Sequence, residues 1–501
     1  MTKVRILQGE IRSEPDFNPH KSLVQNLFEH DYFRQTAICS GLGLCGECRV
    51  RFLRKVPKPG DRDLEYFSEE ELEQGWRLAC FHFPEAGAVL EIPVEVSSEN
   101  FAWASKAEVA ALGMDIGTTT LKWGFLHADN KLSLGTCLNP QMGAGSEIIS
   151  RLSYASKDIA GFRLLHKLII NKIKNILLSV HEKEIPVVAA GNPAMIHILL
   201  GEDISGLLRH PYRLAVIAGK HYKLPGLDRQ IFIPPLLSPF IGADISSGLT
   251  YLLHAQKPRF PFLFCDLGTN GELVLGINRD EFYSTSVALG PALEGVGLRF
   301  GSPFGPKTAS GFVLTPEGIE PKQKNWNGHV SGCGYLSLLS ALSRLGIMDV
   351  TGRFTGSRTP LSRTVDLRGN KVFIRDRFYL SGRDVEEILK VKAAFTLGIK
   401  LLLQKTSMSA DRLARIYLAG EIGKHVELED LGQLGFLPKG SMHKTRVLGN
   451  TSLKGALLIA GESRVRKWVQ ALPEKVHTLA LANEPKYLST DFFRHMRFEY
   501  V

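Results

Sequence analysis

The sequence predicts an α+β N-terminal domain followed by a larger, two-lobed α/β protein. Four of the seven cysteines fall within the first 80 residues, at Cys39, Cys45, Cys48 and Cys80, among short alternating segments. Further on, Met114-Asp115-Ile116-Gly117-Thr118-Thr119-Thr120 has an echo in Cys265-Asp266-Leu267-Gly268-Thr269-Asn270-Gly271-Glu272, about 150 residues later. In each copy an apolar run meets an Asp, a Gly and small polar residues, and a second apolar run follows. That pattern reads as strand, tight turn, strand, and its repetition predicts two related half-domains.

Composition bounds the rest. A chain of 501 residues has room for several domains and a sizeable core. Apolar content of 44% and charged content of 22% are ordinary for a soluble globular protein. No run of 18 apolar residues occurs, and Met1-Thr2-Lys3-Val4 lacks the apolar core of a signal peptide, so the expectation is a cytoplasmic protein without a membrane segment. The net charge of +10 is spread over scattered Lys and Arg, with no basic block carrying interleaved aromatics. This argues against nucleic acid and leaves an acidic protein partner, or nothing specific, as what such a charge serves.

The N-terminal elements follow in order. Val4 to Leu7 and Arg49 to Phe52 read as strands, Ser22 to Glu29 and Ser68 to Gly75 as helices, and Ala88 to Val94 as a closing strand. Between them, Cys39, Cys45 and Cys48 share one glycine-rich loop, and Cys80 follows after 31 intervening residues. Clustered cysteines in a cytosolic chain hold metal more often than they form disulfides. Zinc favours two Cys-x-x-Cys pairs, whereas three thiolates on one loop with a distant fourth is the layout of a [2Fe–2S] ferredoxin, with one residue more between the first two ligands than the plant spacing. Gly41, Gly43 and Gly46 let such a loop wrap closely. Structural zinc or free thiols are the alternatives. The polar break at Glu95 to Asn100 ends this domain, giving boundaries at 1–96, a linker at 97–107, a middle domain at 108–258 and a C-terminal domain at 259–501. About ten linker residues span at most about 35 Å, so the first domain could swing but not travel far.

In the middle domain, Asp115 begins a turn whose glycine, Gly117, can take positive φ, with Thr118, Thr119 and Thr120 adding donors; Gly268, Thr269, Asn270 and Gly271 do the same after Asp266. Each Asp suits hydrated Mg²⁺, which takes one or two carboxylates, waters and nucleotide phosphates. Ordinary Asp-Gly hairpins are the bland alternative. The helix around Leu165 to Val180 carries an apolar stripe that is core. His197, after Gly191-Asn192-Pro193, sits in a helix-like apolar pattern and reads as a satisfied core residue. Asp244, in Phe240-Ile241-Gly242-Ala243-Asp244, stands at a helix start, where it can act on a nucleophile or cap the helix. In the last domain, Gly332 and Gly334 lie at a helix N-terminus that can receive phosphate. Cys137, Cys265 and Cys333 have no ligand spacing and read as small buried residues.

At the two Asp-containing turns the chain resembles the acetate/sugar kinase, Hsp70 and actin superfamily, whose two RNase H-like halves clamp ATP between a first and a second phosphate turn. Arg415-Ile416-Tyr417-Leu418-Ala419-Gly420-Glu421-Ile422-Gly423 resembles its adenosine-side turn, with Gly420-Glu421 where the superfamily usually carries Gly-Gly. The N-terminal domain resembles a β-grasp ferredoxin, with Gly75-Trp76-Arg77-Leu78-Ala79-Cys80 delivering the fourth ligand. The resemblance thus implies a β-grasp ferredoxin domain followed by a two-lobed, actin-like ATPase. It makes Asp115, Asp266 and Asp244 the residues handling Mg²⁺, phosphates and attacking water, and puts ATP against Gly420 and Gly423.

This pairing narrows further. The domain order, Asn139-Pro140-Gln141, Gly191-Asn192-Pro193, Gly290-Pro291-Ala292-Leu293-Glu294-Gly295 and Leu448-Gly449-Asn450-Thr451 all resemble the reductive activators of corrinoid proteins. The resemblance implies ATP-dependent, one-electron reduction of Co(II) to Co(I) in a corrinoid methyl-carrier protein, fed by an upstream low-potential donor; a homodimer is one of the assemblies left open. A redox-sensing small-molecule kinase and an ATP-regulated electron carrier without ATPase activity are the competing readings.

Overall fold

The computed structural model describes the chain apart from residues 35, 37, 39, 40, 42, 44, 45, 96–98, 146, 183, 269, 296, 303, 306, 317, 357–363, 376, 377, 481–489 and 501. It divides into two compact units, Met1–Ser247 with Ser452–Gln470, and Gly248–Thr451 with Ala471–Val501. No helix among the described residues is long and apolar enough to cross a membrane.

The first unit begins with a five-stranded sheet in the order Ile11–Ser13, Arg5–Gln8, Val89–Glu91, Arg49–Arg54, Trp76–Leu78. Arg5–Gln8 and Val89–Glu91 run parallel, and the other pairs are antiparallel. Helix Leu23–Glu29 packs on it, its entry fixed by a capping box between Ser22 and Gln25. Val4, Ile6, Phe17, Leu23, Leu27, Val50, Leu78 and Leu90 form the core. Helix Asp61–Tyr66 and strand Trp76–Leu78 are additions to the elements expected from sequence. The buried Asp63 explains the strand's placement: its carboxylate accepts hydrogen bonds from Leu78 N (2.8 Å), Gly60 N (2.9 Å) and the His82 ring (2.8 Å).

The same unit holds a seven-stranded sheet, ordered Lys220–Lys223, Gln230–Ile233, Val187–Gly191, Val109–Ile116, Thr120–His127, Leu132–Leu138, Asn100–Phe101. The second unit holds a six-stranded sheet, ordered Thr445–Gly449, Arg415–Ala419, Phe262–Leu267, Asn270–Asn278, Glu281–Ala288, Val476–Leu479. The repeat is now explicit. Each half is a three-stranded antiparallel meander whose first strand pairs in parallel with a later strand, and that strand pairs in parallel with a still later one. These are the two RNase H-like halves that the echoed turns predict.

One stretch differs from expectation. Within residues 97–107, read as linker, Asn100–Phe101 forms the edge strand beside Gly135 and Thr136. Phe101 packs on Trp123 and Phe125, and Trp103 on Phe125, with ring centroids 5.1–6.1 Å apart, so aromatic packing fixes a segment whose polar start reads as free chain.

Candidate functional site

The parallel strands Val109–Ile116 and Val187–Gly191 are in register with Asp115 beside Ala190 and Ile116 beside Gly191. The first phosphate turn therefore emerges next to Gly191-Asn192-Pro193. Asn192 caps helix Pro193–Leu200 by accepting from Met195 N (3.0 Å), and its amide donates to Thr118 Oγ1 (2.9 Å). Gly242 fits here because a Cβ would lie 2.5 Å from the Gly191 carbonyl, and this close approach brings helix Ala243–Tyr251 to the same sheet end. Asp244 is the second residue of that helix rather than its cap, and its carboxylate accepts from Ile245 N (2.8 Å). Burial, joined by the negative charge of Asp115, pushes Asp244 up to about 7. Ser452, 337 residues along the chain, donates to Asp115 Oδ1 (2.8 Å).

The turn itself is held by its carbonyls. Asn139 Nδ2 donates to the Gly117 carbonyl (2.8 Å), Arg151 Nη1 to that of Thr118 (2.7 Å) and Asn139 N to that of Thr119 (2.9 Å). Gly117 does not adopt left-handed φ, contrary to expectation; its hydrogen is required because a Cβ would lie 2.5 Å from the Thr120 carbonyl. Thr120 starts the returning strand. His197 uses both ring nitrogens on backbone, facing Pro193 O (2.7 Å) and accepting from Ala215 N (3.2 Å), as befits a core residue.

In the second unit Asp266 stands opposite Glu272 in the antiparallel register and beside Ala419 in the parallel one. Two carboxylates thus share one sheet face, a pairing suited to a divalent cation. Glu272 is buried, and sequence reading passed over it because only strand register places it. In the first unit the residue opposite Asp115 is Lys122. Gly268 also lacks left-handed φ and donates to the Asn270 carbonyl (3.0 Å); Gly271 packs under Leu289, and Thr269 lies outside the described residues.

The strand end at Ala419-Gly420 meets the second Asp-headed turn directly. Strand Arg415–Ala419 runs into helix Gly420–His425, which contains Gly423. Gly420 has φ of 86°, and a Cβ there would meet the Leu267 carbonyl and lie 2.7 Å from Asp266 Oδ1. Gly420→Ala combines left-handed strain of about 1–3 kcal/mol with displacement of Asp266. We expect it to raise the KM for MgATP by roughly tenfold or more, read from steady-state phosphate release. Gly332 and Gly334 open helix Gly332–Arg344, where Ser331 caps Gly334 N (3.3 Å). Side chains on these glycines would strike the Leu293 and Ala309 carbonyls, so close backbone packing accounts for both.

The N-terminal cysteines come next. Cys39 and Cys45 lie outside the described residues; Cys48 is buried and Cys80 partly exposed. They flank the adjacent antiparallel strands Arg49–Arg54 and Trp76–Leu78, with Ala79 N donating to the Cys48 carbonyl (2.8 Å). Gly41, Gly43 and Gly46 have φ of 87°, 67° and 68°. A Cβ on Gly41 would lie 3.8 Å from Cys80 Cβ, one on Gly43 would run into the Phe81 ring, and one on Gly46 would lie 2.6 Å from the Tyr66 ring. Glycines that turn at positive φ beside Cys80 and under the Phe81 and Tyr66 rings fit a loop wrapped closely on a thiolate-bound cluster. Cys137, Cys265 and Cys333 are buried; burial pushes Cys137 up to about 11 and Cys265 upward, as expected of unreactive thiols.

A family model described as the RACo middle region matches residues 110–256, and one described as the C-terminal domain of RACo, the ASKHA domain, matches residues 261–499. The corrinoid activation enzyme RamQ of Eubacterium limosum is 26% identical over 422 residues, 76% of this chain and 69% of that protein. The Co(II) methylated amine-specific corrinoid protein reductase of Methanosarcina barkeri is 24% identical over 395 residues, 68% of each chain. A solved structure of a reductive activator for corrinoid, iron-sulfur protein superposes with a TM-score of 0.68 at 21% identity, covering 99% of this chain and 98% of that one, and shares its fold. The two family models are consecutive parts of one protein family and together take in most of the sequence. The chain belongs to the RACo family, the reductive activators of corrinoid proteins.

Proposed function

We propose that this protein uses ATP to drive one-electron reduction of Co(II) to Co(I) in a corrinoid methyl-carrier protein. The single observation that carries this is the joining, in one chain, of a glycine-rich cysteine loop to two Asp-headed turns on repeated halves, in a chain of the RACo family.

Cys39, Cys45, Cys48 and Cys80 would hold a [2Fe–2S] cluster, with Tyr66 and Phe81 closing over the loop glycines. When bound, such a cluster supplies a one-electron carrier, near about −400 mV for the plant type. Asp115, and Asp266 with Glu272, handle Mg²⁺ and phosphates, aided by the turn residues Gly117 to Thr120 and Gly268 to Gly271 and by Gly420. Asp244 in its ionised form takes the proton of the attacking water. Nucleotide can assist a difficult reduction only by favouring one conformation over another, through its differential affinity for the two. The domain boundaries at 1–96, 108–258 and 259–501, a cytoplasmic location and a separate low-potential electron donor belong to the same reading.

The test is anaerobic. Reconstituted protein, a low-potential reductant and a Co(II) corrinoid protein are mixed, and Co(I) absorbance and phosphate release are followed with and without MgATP. Co(I) forms with MgATP and not without it. Phosphate release with no Co(I) across several corrinoid partners contradicts the proposal.

A further inference from the structure

Arg151 is fully buried, yet among the described residues no carboxylate accepts from its guanidinium. Its partners are the Thr118 carbonyl (2.7 Å), the Gly145 carbonyl (2.5 and 3.1 Å), Gln141 Oε1 (3.5 Å) and the sulfurs of Met195 and Met142. Burial lowers it only to about 9, so it is cationic at neutral pH. A buried cation is costly unless something compensates it, and carbonyl dipoles compensate only in part.

The peptide plane shows what the arrangement does. In a trans peptide C=O and N–H point in opposite directions. With the carbonyls of Gly117, Thr118 and Thr119 each engaged by Asn139 or Arg151, the N–H groups of Thr118, Thr119 and Thr120 each point away from those partners. Successive N–H groups facing one way form an anion-binding nest, and the cation behind it adds attraction.

Arg151 lies on helix Ile148–Lys157, and one turn further along that helix Tyr154 contacts the N-terminal domain. Tyr154 Oη donates to Glu29 Oε1 (3.1 Å), and its ring stands edge-on to Phe28 with centroids 5.8 Å apart. Gly143, in the short turn before this helix, packs so closely on Phe28 that a Cβ would enter its ring. Helix Leu23–Glu29 is therefore braced against the same short element that braces the phosphate turn.

We propose that Arg151 is a positioning residue that orients the first phosphate turn for nucleotide, and that its helix, through Tyr154, couples nucleotide binding to the seating of the cluster domain. This rests on the reading that the turn binds nucleotide. Reciprocity then requires that whatever nucleotide does to helix Leu23–Glu29, that helix does to nucleotide affinity.

The experiment uses the full reconstituted protein and MgADP as probe. Loss of a charge-assisted hydrogen bond weakens MgADP binding in Arg151→Met by roughly 10- to 100-fold, raising KM for ATP more than it lowers kcat. Arg151→Lys recovers part of the affinity and guards against a variant that fails to fold. In the native protein MgADP slows amide exchange across residues 23–29; in Arg151→Lys and Tyr154→Phe this response shrinks, although far-UV spectra are unchanged. Native affinity in Arg151→Met, or an undiminished exchange response in both Arg151→Lys and Tyr154→Phe, overturns the proposal. Asp115→Asn and Asp266→Asn separate the levels: if they weaken MgADP while Arg151→Met does not, only the role of Arg151 falls. If the native protein binds no MgADP, the nucleotide reading falls as well.

Discussion

Cys48→Ser and Cys80→Ser each abolish cobalt reduction while leaving MgADP affinity at the native level. Replacing an outer-shell partner of a metal site already costs roughly 10- to 100-fold, and removing a thiolate ligand costs more. The structure explains why neither serine is rescued by a neighbour. The two residues flank adjacent strands that the Ala79 to Cys48 hydrogen bond ties together, and Gly41, at positive φ, comes close to Cys80. Iron content and the visible spectrum after anaerobic reconstitution check the loss of the cluster. A serine variant without cluster that still yields Co(I) at the native rate would remove the cysteines from the electron path.

Asp244→Asn lowers the turnover number for phosphate release by roughly 100-fold or more, the usual worth of a positioned base. Its pH profile is equally informative. Asp244 is pushed up to about 7 by burial and then by Asp115. Only its ionised form takes a proton, so phosphate release rises with pH through about 7 in the native protein, and this limb disappears in Asp244→Asn. Stability runs the other way. The folded protein binds this proton more tightly than the unfolded chain, whose carboxylate titrates near about 3.9. The group therefore favours folding most below about 4, loses that contribution as pH rises to about 7, and destabilises at a constant level above it. Asp244→Asn is then the more stable protein above pH 7, and the advantage narrows in acid. A native profile flat through pH 7, in both activity and denaturant midpoint, contradicts the assignment.

The repeat was legible because a strand, an Asp-Gly turn and a second strand leave a short local signature, and both copies carry it. The positive φ of Gly41, Gly43 and Gly46 was legible from the glycine-rich spacing between the cysteines. Other features depend on distance in sequence or on burial, which a single chain does not display. Ser452 reaches Asp115 across 337 residues. Glu272 is recognisable as the second carboxylate only once the register sets it opposite Asp266. Arg151 looks like any helical arginine until its environment proves to be carbonyls and sulfurs. Gly117 and Gly268 were expected to supply positive φ; at Gly117 the structure asks instead for a missing side chain, whereas at Gly420 it asks for both. The adenosine-side glycines read as a strand end in the sequence, and they fall in the six-residue helix Gly420–His425 that follows the strand.

The most direct test of the central claim follows both redox partners in one rapid-mixing experiment. Protein reduced beforehand is mixed with a Co(II) corrinoid protein, and re-oxidation of the cluster and appearance of Co(I) are recorded together, with and without MgATP. The account predicts that the two signals move at the same rate, one electron lost for each Co(I) formed, and only when MgATP is present. Co(I) appearing at the same rate without MgATP, or with MgATP while the cluster stays reduced, would contradict it.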